Sequence, residues 1–190
     1  MMGTRHAEGG AAFWLAGCAV IHPAPLVILE GLGLAVGGAY AVDIDHRSSE
    51  VTQFLGPLTG LLSWCVRPRC GRYRGVIHSW WGVLAVALGS FVPCVFTGWP
   101  WWAGTAIMTG WVSHLALDAG TAEGLPLCWP DRTRWGWLPK RYSIITGGKR
   151  KRRGSRRRFA EVAELWVVQP VLLAVIAVAA FAIVAGVRHG

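Results

Sequence analysis

Two apolar runs decide the fold of this chain. They read HSWWGVLAVALGSFVPCVFT at residues 78–97 and WWAGTAIMTGWVSHLALD at residues 101–118. A helix needs about 20 mostly apolar residues to cross the roughly 30 Å hydrocarbon core of a bilayer, and both runs are of that order. Because only Gly98-Trp99-Pro100 separates them, the sequence predicts an antiparallel pair of membrane spans. A third run at residues 165–187, LWVVQPVLLAVIAVAAFAIVAGV, is also long enough to span.

Three weaker segments extend this pattern towards the N-terminus. Residues 9–21 and 25–42 flank a Pro-rich turn and are typical of a helical hairpin whose first arm is short. The run at residues 51–66 contains two Gly and one Pro, which favours a surface-lying or re-entrant helix over a full crossing. We therefore predict an all-α, polytopic membrane helical bundle with about four to five membrane-embedded helices.

The composition excludes a soluble multidomain enzyme. The 190 residues are 53% hydrophobic and 15% charged, whereas soluble domains carry about 25% charge. We expect a single membrane-embedded domain over residues 1–190, with a basic insert at 147–158 and a final transmembrane helix at 165–187. The five Cys residues are scattered without a C-x-x-C pair, which indicates neither a disulfide framework nor a thiolate zinc site.

Positive charge suggests the orientation of the chain, because Lys and Arg near span ends mark the cytoplasmic side. Four Arg residues lie between Arg67 and Arg74, before the 78–97 run, and eight of the ten residues from Lys149 to Arg158 are basic. The uncharged Gly98-Trp99-Pro100 connection fits the outer side. The sequence thus predicts a cytoplasmic N-terminus and spans that alternate in direction.

This path brings seven titratable side chains to the cytoplasmic side of the bundle, although no His or Asp was used to assign it. Ionisable residues at a membrane boundary are costly and by default suggest function. They are His6, Asp43, Asp45, His46, His78, His114 and Asp118.

These residues favour a divalent-metal site. His114 and Asp118 are four residues apart, which places both on one face of a helix. Imidazole nitrogen and carboxylate oxygen are zinc ligands, and a carboxylate can also orient a ligating His. A single interfacial His is more often a hydrogen-bonded structural residue, and a lone D-x-D-H is common where helices end. Three such elements on one side of the membrane favour a metal site at that side.

The same residues also show a family resemblance. In order and spacing, the chain resembles the YdjM-like family of inner-membrane metal-dependent hydrolases, also described as LexA-binding, inner membrane-associated hydrolases. It is similar, more distantly, to the zinc-dependent phospholipase C and P1 nuclease group. The resemblance covers residues 5 to 165 and rests on His6, on D-x-D-H at 43–46, on R-G-x-x-H-S at 74–79, on H-L-x-L-D at 114–118, and on Thr121 with G-x-P-L-x-W-P at 124–130.

The resemblance implies a helical protein of a bacterial-type inner membrane with a divalent-metal hydrolase site. Carried over by position, the ligands would be His6, Asp45, His78, His114 and Asp118. Asp43 and His46 would either bind the ion or orient its ligands. The chain departs from the family at Val42 and Ile77, where the family commonly has Pro and Thr. Its basic run also interrupts a T-G-x-x-E segment, so the role of Glu161 and Glu164 stays open.

The predicted function is that of a membrane-bound metal-dependent hydrolase acting on a small-molecule or lipid phosphoester. The divalent metal, with zinc favoured, would activate water. Asp43 is the candidate general base. Arg74 could pair with a phosphate oxygen of the substrate. Alternatively, Arg74 could be one of the basic residues that anchor the cytoplasmic side of the chain.

Two other function classes stay open. The same His and Asp residues could hold a structural metal in a non-catalytic membrane protein. Alternatively, Lys149–Arg158 could make the chain a membrane tether for nucleic acid or a regulator. We expect this run to lie on anionic lipid headgroups. Nucleic acid, whose phosphates Lys and Arg also neutralise, is the less favoured partner because no base-reading motif accompanies the run.

Overall fold

A computed structural model describes residues 3–45, 75–121, 124–131, 133–137 and 164–189. These residues are mostly helical, with an isolated antiparallel bridge between Leu125 and Trp135. The predicted all-α class of a helical membrane protein is thereby confirmed. The α-helices of the described residues are α1 (Gly3–Ile21), α2 (Pro25–Ala41), α3 (Trp80–Thr97), α4 (Trp101–Ala119) and α5 (Gln169–His189).

Short helical turns extend three of these helices. A 3₁₀ turn at Val42–Asp45 follows α2, and another at Val76–His78 precedes α3. A π-helical turn at Glu164–Val168 leads into α5. The predicted segment 51–66 and the basic runs at 67–74 and 149–158 lie outside the described residues.

Three helices within the described ranges are long and apolar enough to cross a membrane. They are Pro25–Ile44, Trp80–Thr97 and Leu165–Gly186. The last two agree with the spans predicted at 78–97 and 165–187. The first corresponds to residues 25–42, which the sequence marked only as a marginal span.

The predicted span at 101–118 forms α4 but is not among these three. Its hydropathy is lowered by Ser113, His114 and Asp118, and all three side chains are buried inside the protein. Polar residues in such a helix avoid lipid by facing protein. α4 is therefore the internal helix of the bundle, against which α1, α2 and α3 all pack.

The first helix is longer than the sequence predicted, because α1 starts at Gly3 rather than near residue 9. Its polar first turns include the Arg5–Glu8 ion pair, with nitrogen and oxygen 3.0 Å apart, and His6, whose side chain is buried. α5 packs along α1 in the same direction. Ala12 clusters with Val168 and Leu172, while His22 at the end of α1 lies beside Gly186.

α2 and α4 cross with their backbones in close contact. A side chain at Gly110 would overlap the carbonyl oxygen of Ala35, and one at Gly38 would overlap the carbonyl oxygen of Ile107. Membrane helices associate largely through van der Waals packing, and small residues at the interface let the backbones approach. This crossing therefore fixes the end of α2 against the second half of α4.

The segment that follows α4 is held against the ends of α3 and α4. Trp80 N donates to Leu127 O at 3.1 Å, and Trp137 N donates to Ala119 O at 2.9 Å. The indole Nε1 of Trp81 donates to Trp129 O at 3.1 Å. These bonds join the first residues of α3 to the last residues of α4.

We expect Gly110→Ala to lower the free energy of unfolding by about 1–3 kcal/mol, because the added methyl group forces α2 and α4 apart. The matched control is Gly37→Ala on α2, where an added methyl group meets nothing within 4 Å. This control should be neutral or slightly stabilising, since Ala is the better helix former. Denaturant titration of both variants in detergent measures the difference. Equal stability of the two variants would contradict the close crossing.

Candidate metal centre

The candidate site lies where four helices begin or end. His6 belongs to the first turns of α1, and Asp43 to the 3₁₀ turn that follows α2. His78 closes the 3₁₀ turn that precedes α3, while His114 and Asp118 lie in the last turns of α4. Because successive helices alternate in direction, these ends coincide on one side of the bundle.

Four candidate ligand atoms, two imidazole nitrogens and two carboxylate oxygens, lie close together at this end. His78 Nε2 lies 3.9 Å from Asp43 Oδ1 and 3.6 Å from Asp118 Oδ2. His114 Nε2 lies 3.8 Å from the same oxygen of Asp43 and 3.6 Å from the same oxygen of Asp118. These separations exceed an ordinary N–H···O hydrogen bond of about 2.7–3.2 Å. The nitrogens and oxygens therefore face one another across a gap.

His6 approaches the other oxygen of Asp118. Its Nε2 is 3.7 Å from Asp118 Oδ1, and its ring stacks on that of His114 with centroids 3.6 Å apart and planes 12° apart. The carboxylate of Asp118 thus lies between His6 on one side and His78 with His114 on the other. Two overlapping groups have candidate ligand atoms within 4.8 Å of one another, namely His6 with His114 and Asp118, and Asp43 with His78 and His114.

A backbone contact fixes the orientation of the His114 ring. Its Nδ1 is 2.7 Å from the carbonyl oxygen of Ala39. Since a carbonyl oxygen can only accept, Nδ1 carries the proton and Nε2 presents its lone pair to the cluster. Within the described residues Nε2 is buried and makes no hydrogen bond. Ligating His residues commonly show this arrangement, in which the other ring nitrogen donates to an oxygen of the protein.

Two hydroxyl groups stabilise the backbone segments that carry His78 and Asp118. Ser79 Oγ donates to Val76 O at 2.6 Å and accepts from Trp81 N at 3.2 Å. Ser79 therefore caps α3 and stabilises the turn that presents His78. Thr121 Oγ1 donates to Asp118 O at 2.7 Å and secures the end of α4.

The structure brings together five of the side chains that the sequence singled out: His6, Asp43, His78, His114 and Asp118. Asp45 ends its 3₁₀ turn, and its side chain lies outside the described residues, as do His46 and Arg74. Asp43, assigned from sequence as the general base, lies among the candidate ligands. The contact from His114 to Ala39 has no sequence signal, because its acceptor is a backbone carbonyl.

The spacing of the donors suits a divalent ion. Around a tetrahedral zinc with ligand bonds of about 2.0–2.1 Å, neighbouring donor atoms are roughly 3.3–3.5 Å apart. The observed separations of 3.6–3.9 Å are slightly wider. These nitrogen–oxygen separations are therefore compatible with a divalent ion held among these side chains after small movements.

Comparison with known proteins gives a family match over almost the whole chain. The family described as YdjM inner membrane protein matches residues 1–187. The curated relatives include inner membrane protein YdjM of Escherichia coli (strain K12) and of Shigella flexneri. Each is 38% identical over 97 residues, which cover 49% of this chain and 45% of the relative. The chain thus spans about half the length of the curated relatives it matches. No solved structure matches it.

We expect the purified protein to retain a divalent metal and the double variant His114→Ala, Asp118→Ala to lose it, since this change removes a nitrogen and both oxygens of the central carboxylate. His22→Ala is the control, because His22 is exposed in the turn at the opposite end of the bundle. Elemental analysis of detergent-purified protein measures the metal content. Equal metal in wild type and the double variant would show that the ion binds elsewhere.

Proposed function

The chain belongs to the YdjM family of inner membrane proteins, and we propose that it is a metal-dependent hydrolase of phosphoesters. The observation that supports this proposal is the meeting of His6, Asp43, His78, His114 and Asp118 from four separate stretches of sequence. Clusters of His and Asp in which donor atoms converge are candidates for metal or catalytic sites.

Zinc is the metal that we propose for the site. The nearest donor atoms are Nε2 of His78 and His114, together with carboxylate oxygens of Asp43 and Asp118. His78, His114 and Asp118 would supply two nitrogens and one oxygen, and such a three-ligand set leaves a fourth position of the ion for water beside Asp43. The lone pair of His114 Nε2, which is buried without a hydrogen bond, supports a cation at this position. A bound divalent ion supplies an activated water and polarises the scissile phosphoryl group.

The two carboxylates differ in their access to solvent, which supports different roles. The side chain of Asp118 is 1% exposed, whereas that of Asp43 is 20% exposed. Asp118 lies between three imidazole rings and would hold the ion. Asp43 can exchange a proton with solvent and would take the proton from the attacking water. Arg74 would pair with a phosphate oxygen of the substrate.

The site lies at one boundary of the apolar part of the bundle. His78 is two residues before α3, and the 18 residues of α3 span about 27 Å. Trp80 and Trp81 are exposed at its start, and Trp99 and Trp101 are exposed just beyond its end. Trp is enriched at both membrane interfaces. We place the site on the cytoplasmic side, where Lys149–Arg158 would bind anionic lipid headgroups.

Cysteine labelling tests this orientation. In a variant without native Cys, Thr4→Cys at the site end should react with a membrane-impermeant maleimide only after the membrane is opened. Thr97→Cys at the opposite end should react in intact cells, and it serves as the matched control because both positions are exposed. The reverse pattern would place the site outside.

For the hydrolase itself, we expect zinc-loaded wild-type protein to cleave bis(p-nitrophenyl) phosphate. Asp43→Asn should reduce turnover by about 10²–10⁴-fold, because the amide no longer accepts a proton. The Asp43→Asn variant should still bind the metal through His78, His114 and Asp118. The control is Asp131→Asn, an exposed carboxylate that accepts hydrogen bonds from Thr133.

The same assay separates the hydrolase from a non-catalytic metal protein. A structural site predicts bound zinc with no cleavage by the wild type of any substrate in a panel of phosphomonoesters, phosphodiesters and phospholipids. That result would contradict the proposed function. If turnover is unchanged in Asp43→Asn, Asp43 is not the general base.

A further inference from the structure

The stacked rings of His6 and His114 divide the candidate metal centre into two parts. Their planes are 12° apart and their centroids 3.6 Å apart, and both side chains are buried. In each ring, Nε2 faces the carboxylate of Asp118. His6 Nε2 lies 3.7 Å from Oδ1, and His114 Nε2 lies 3.6 Å from Oδ2. The two nitrogens therefore approach the two oxygens of one carboxylate side by side.

A single ion cannot take both of these nitrogens while the rings stay stacked. A metal binds the lone pair of an imidazole nitrogen, which lies in the plane of the ring. Two nearly parallel rings with centroids 3.6 Å apart have no common point that is in both planes and about 2.0–2.1 Å from both nitrogens, as one zinc ion would require. In this arrangement His6 and His114 therefore bind different ions.

The contacts of His114 decide which ion it would bind. Only Nε2 of His114 is available to a metal, because Nδ1 donates to Ala39 O at 2.7 Å. This Nε2 lies 3.6 Å from Asp118 Oδ2, and so does Nε2 of His78. His114 therefore belongs with His78, at the position where we place the zinc ion. His6 Nε2 and Asp118 Oδ1 form a second nitrogen–oxygen pair beside that position.

We propose that the centre holds two divalent ions bridged by the carboxylate of Asp118. His78, His114 and Asp118 Oδ2 would bind the first ion, and His6 with Asp118 Oδ1 would bind the second. Ions in the planes of the two stacked rings would lie about as far apart as the rings themselves. Two-metal sites that act on phosphoesters have ions about 3.5–4 Å apart, which agrees with the ring separation of 3.6 Å.

A second ion changes the charge of the centre. Asp43 and Asp118 are the carboxylates of the described cluster, and neutral imidazoles add no charge. One divalent ion leaves these groups formally neutral, whereas two divalent ions leave them positive. Positive charge stabilises the oxygens of a phosphoryl group during its transfer, so the two-ion centre suits an anionic phosphoester. This catalytic role rests on the proposed function, whereas the binding of a second ion does not.

Metal stoichiometry tests the proposal. Full-length protein in detergent is stripped with a chelator and dialysed against increasing concentrations of ZnCl₂, and bound zinc is measured by elemental analysis. We expect the wild type to bind one zinc ion per chain more than His6→Gln, and to bind that ion more weakly than the first because fewer side chains hold it. His22→Gln is the matched control, since His22 is exposed at the opposite end of the bundle. It should bind as much zinc as the wild type.

A spectroscopic measurement on the wild type does not depend on the folding of any variant. Mn²⁺ accepts carboxylate and imidazole ligands and is paramagnetic. In protein loaded with MnCl₂, two ions bridged by Asp118 should give the electron paramagnetic resonance signal of a spin-coupled pair, whereas His6→Gln should show isolated Mn²⁺. Equal zinc content in wild type and His6→Gln would overturn the proposal, as would uncoupled Mn²⁺ in the wild type.

Cleavage of bis(p-nitrophenyl) phosphate separates this proposal from the proposed function. A coupled pair of ions in a wild type that cleaves no ester would support the two-ion centre and contradict the hydrolase. Cleavage by a wild type that holds a single ion would support the hydrolase and overturn the two-ion centre. His6 would then only position the carboxylate of Asp118, from which its Nε2 is 3.7 Å away.

Discussion

The close crossing of α2 and α4 is the constraint on which the candidate site depends. Gly110 and Gly38 let the two backbones touch, and the same contact brings the carbonyl of Ala39 to the ring of His114 at 2.7 Å. Because that carbonyl holds Nδ1, the opposite nitrogen of the ring is directed at Asp43, which lies two residues after the end of α2. A packing interface between small residues thus determines how an imidazole is presented.

The burial of polar groups explains why α4 takes the central position. A helix with His114, Asp118 and Ser113 on its surface would expose costly groups to lipid. Surrounded by α1, α2 and α3, these groups instead face other polar atoms. The helices with the highest hydropathy, α3 and α5, then occupy the outside, where Leu88, Phe91, Val178 and Phe181 are exposed. The same arrangement protects the candidate ligands and provides the lipid-facing surface.

Much of this arrangement could be predicted from the sequence, because it follows from the helical period and from the alternating direction of successive spans. The four-residue spacing of His114 and Asp118 places them on one helical face, and alternating spans bring the start of α1 and α3 to the ends of α2 and α4. Other features depend on contacts between distant residues. The start of α1 at Gly3 places His6 beside His114 and Asp118, and the 3₁₀ turn after α2 places Asp43 beside His78 and His114. Neither contact can be read from the local sequence, because each joins residues that are far apart along the chain.

The positions of the candidate ligands also have a consequence for biogenesis. Every donor in the described cluster precedes residue 119, and α5 contributes none of them. Helices inserted in chain order would therefore complete the cluster once α4 has entered the bilayer, before α5 does so. A cation could then bind to an intermediate that contains α1 to α4 and hold these helices together. α5, packed along α1, would secure an assembly that already contains its ion.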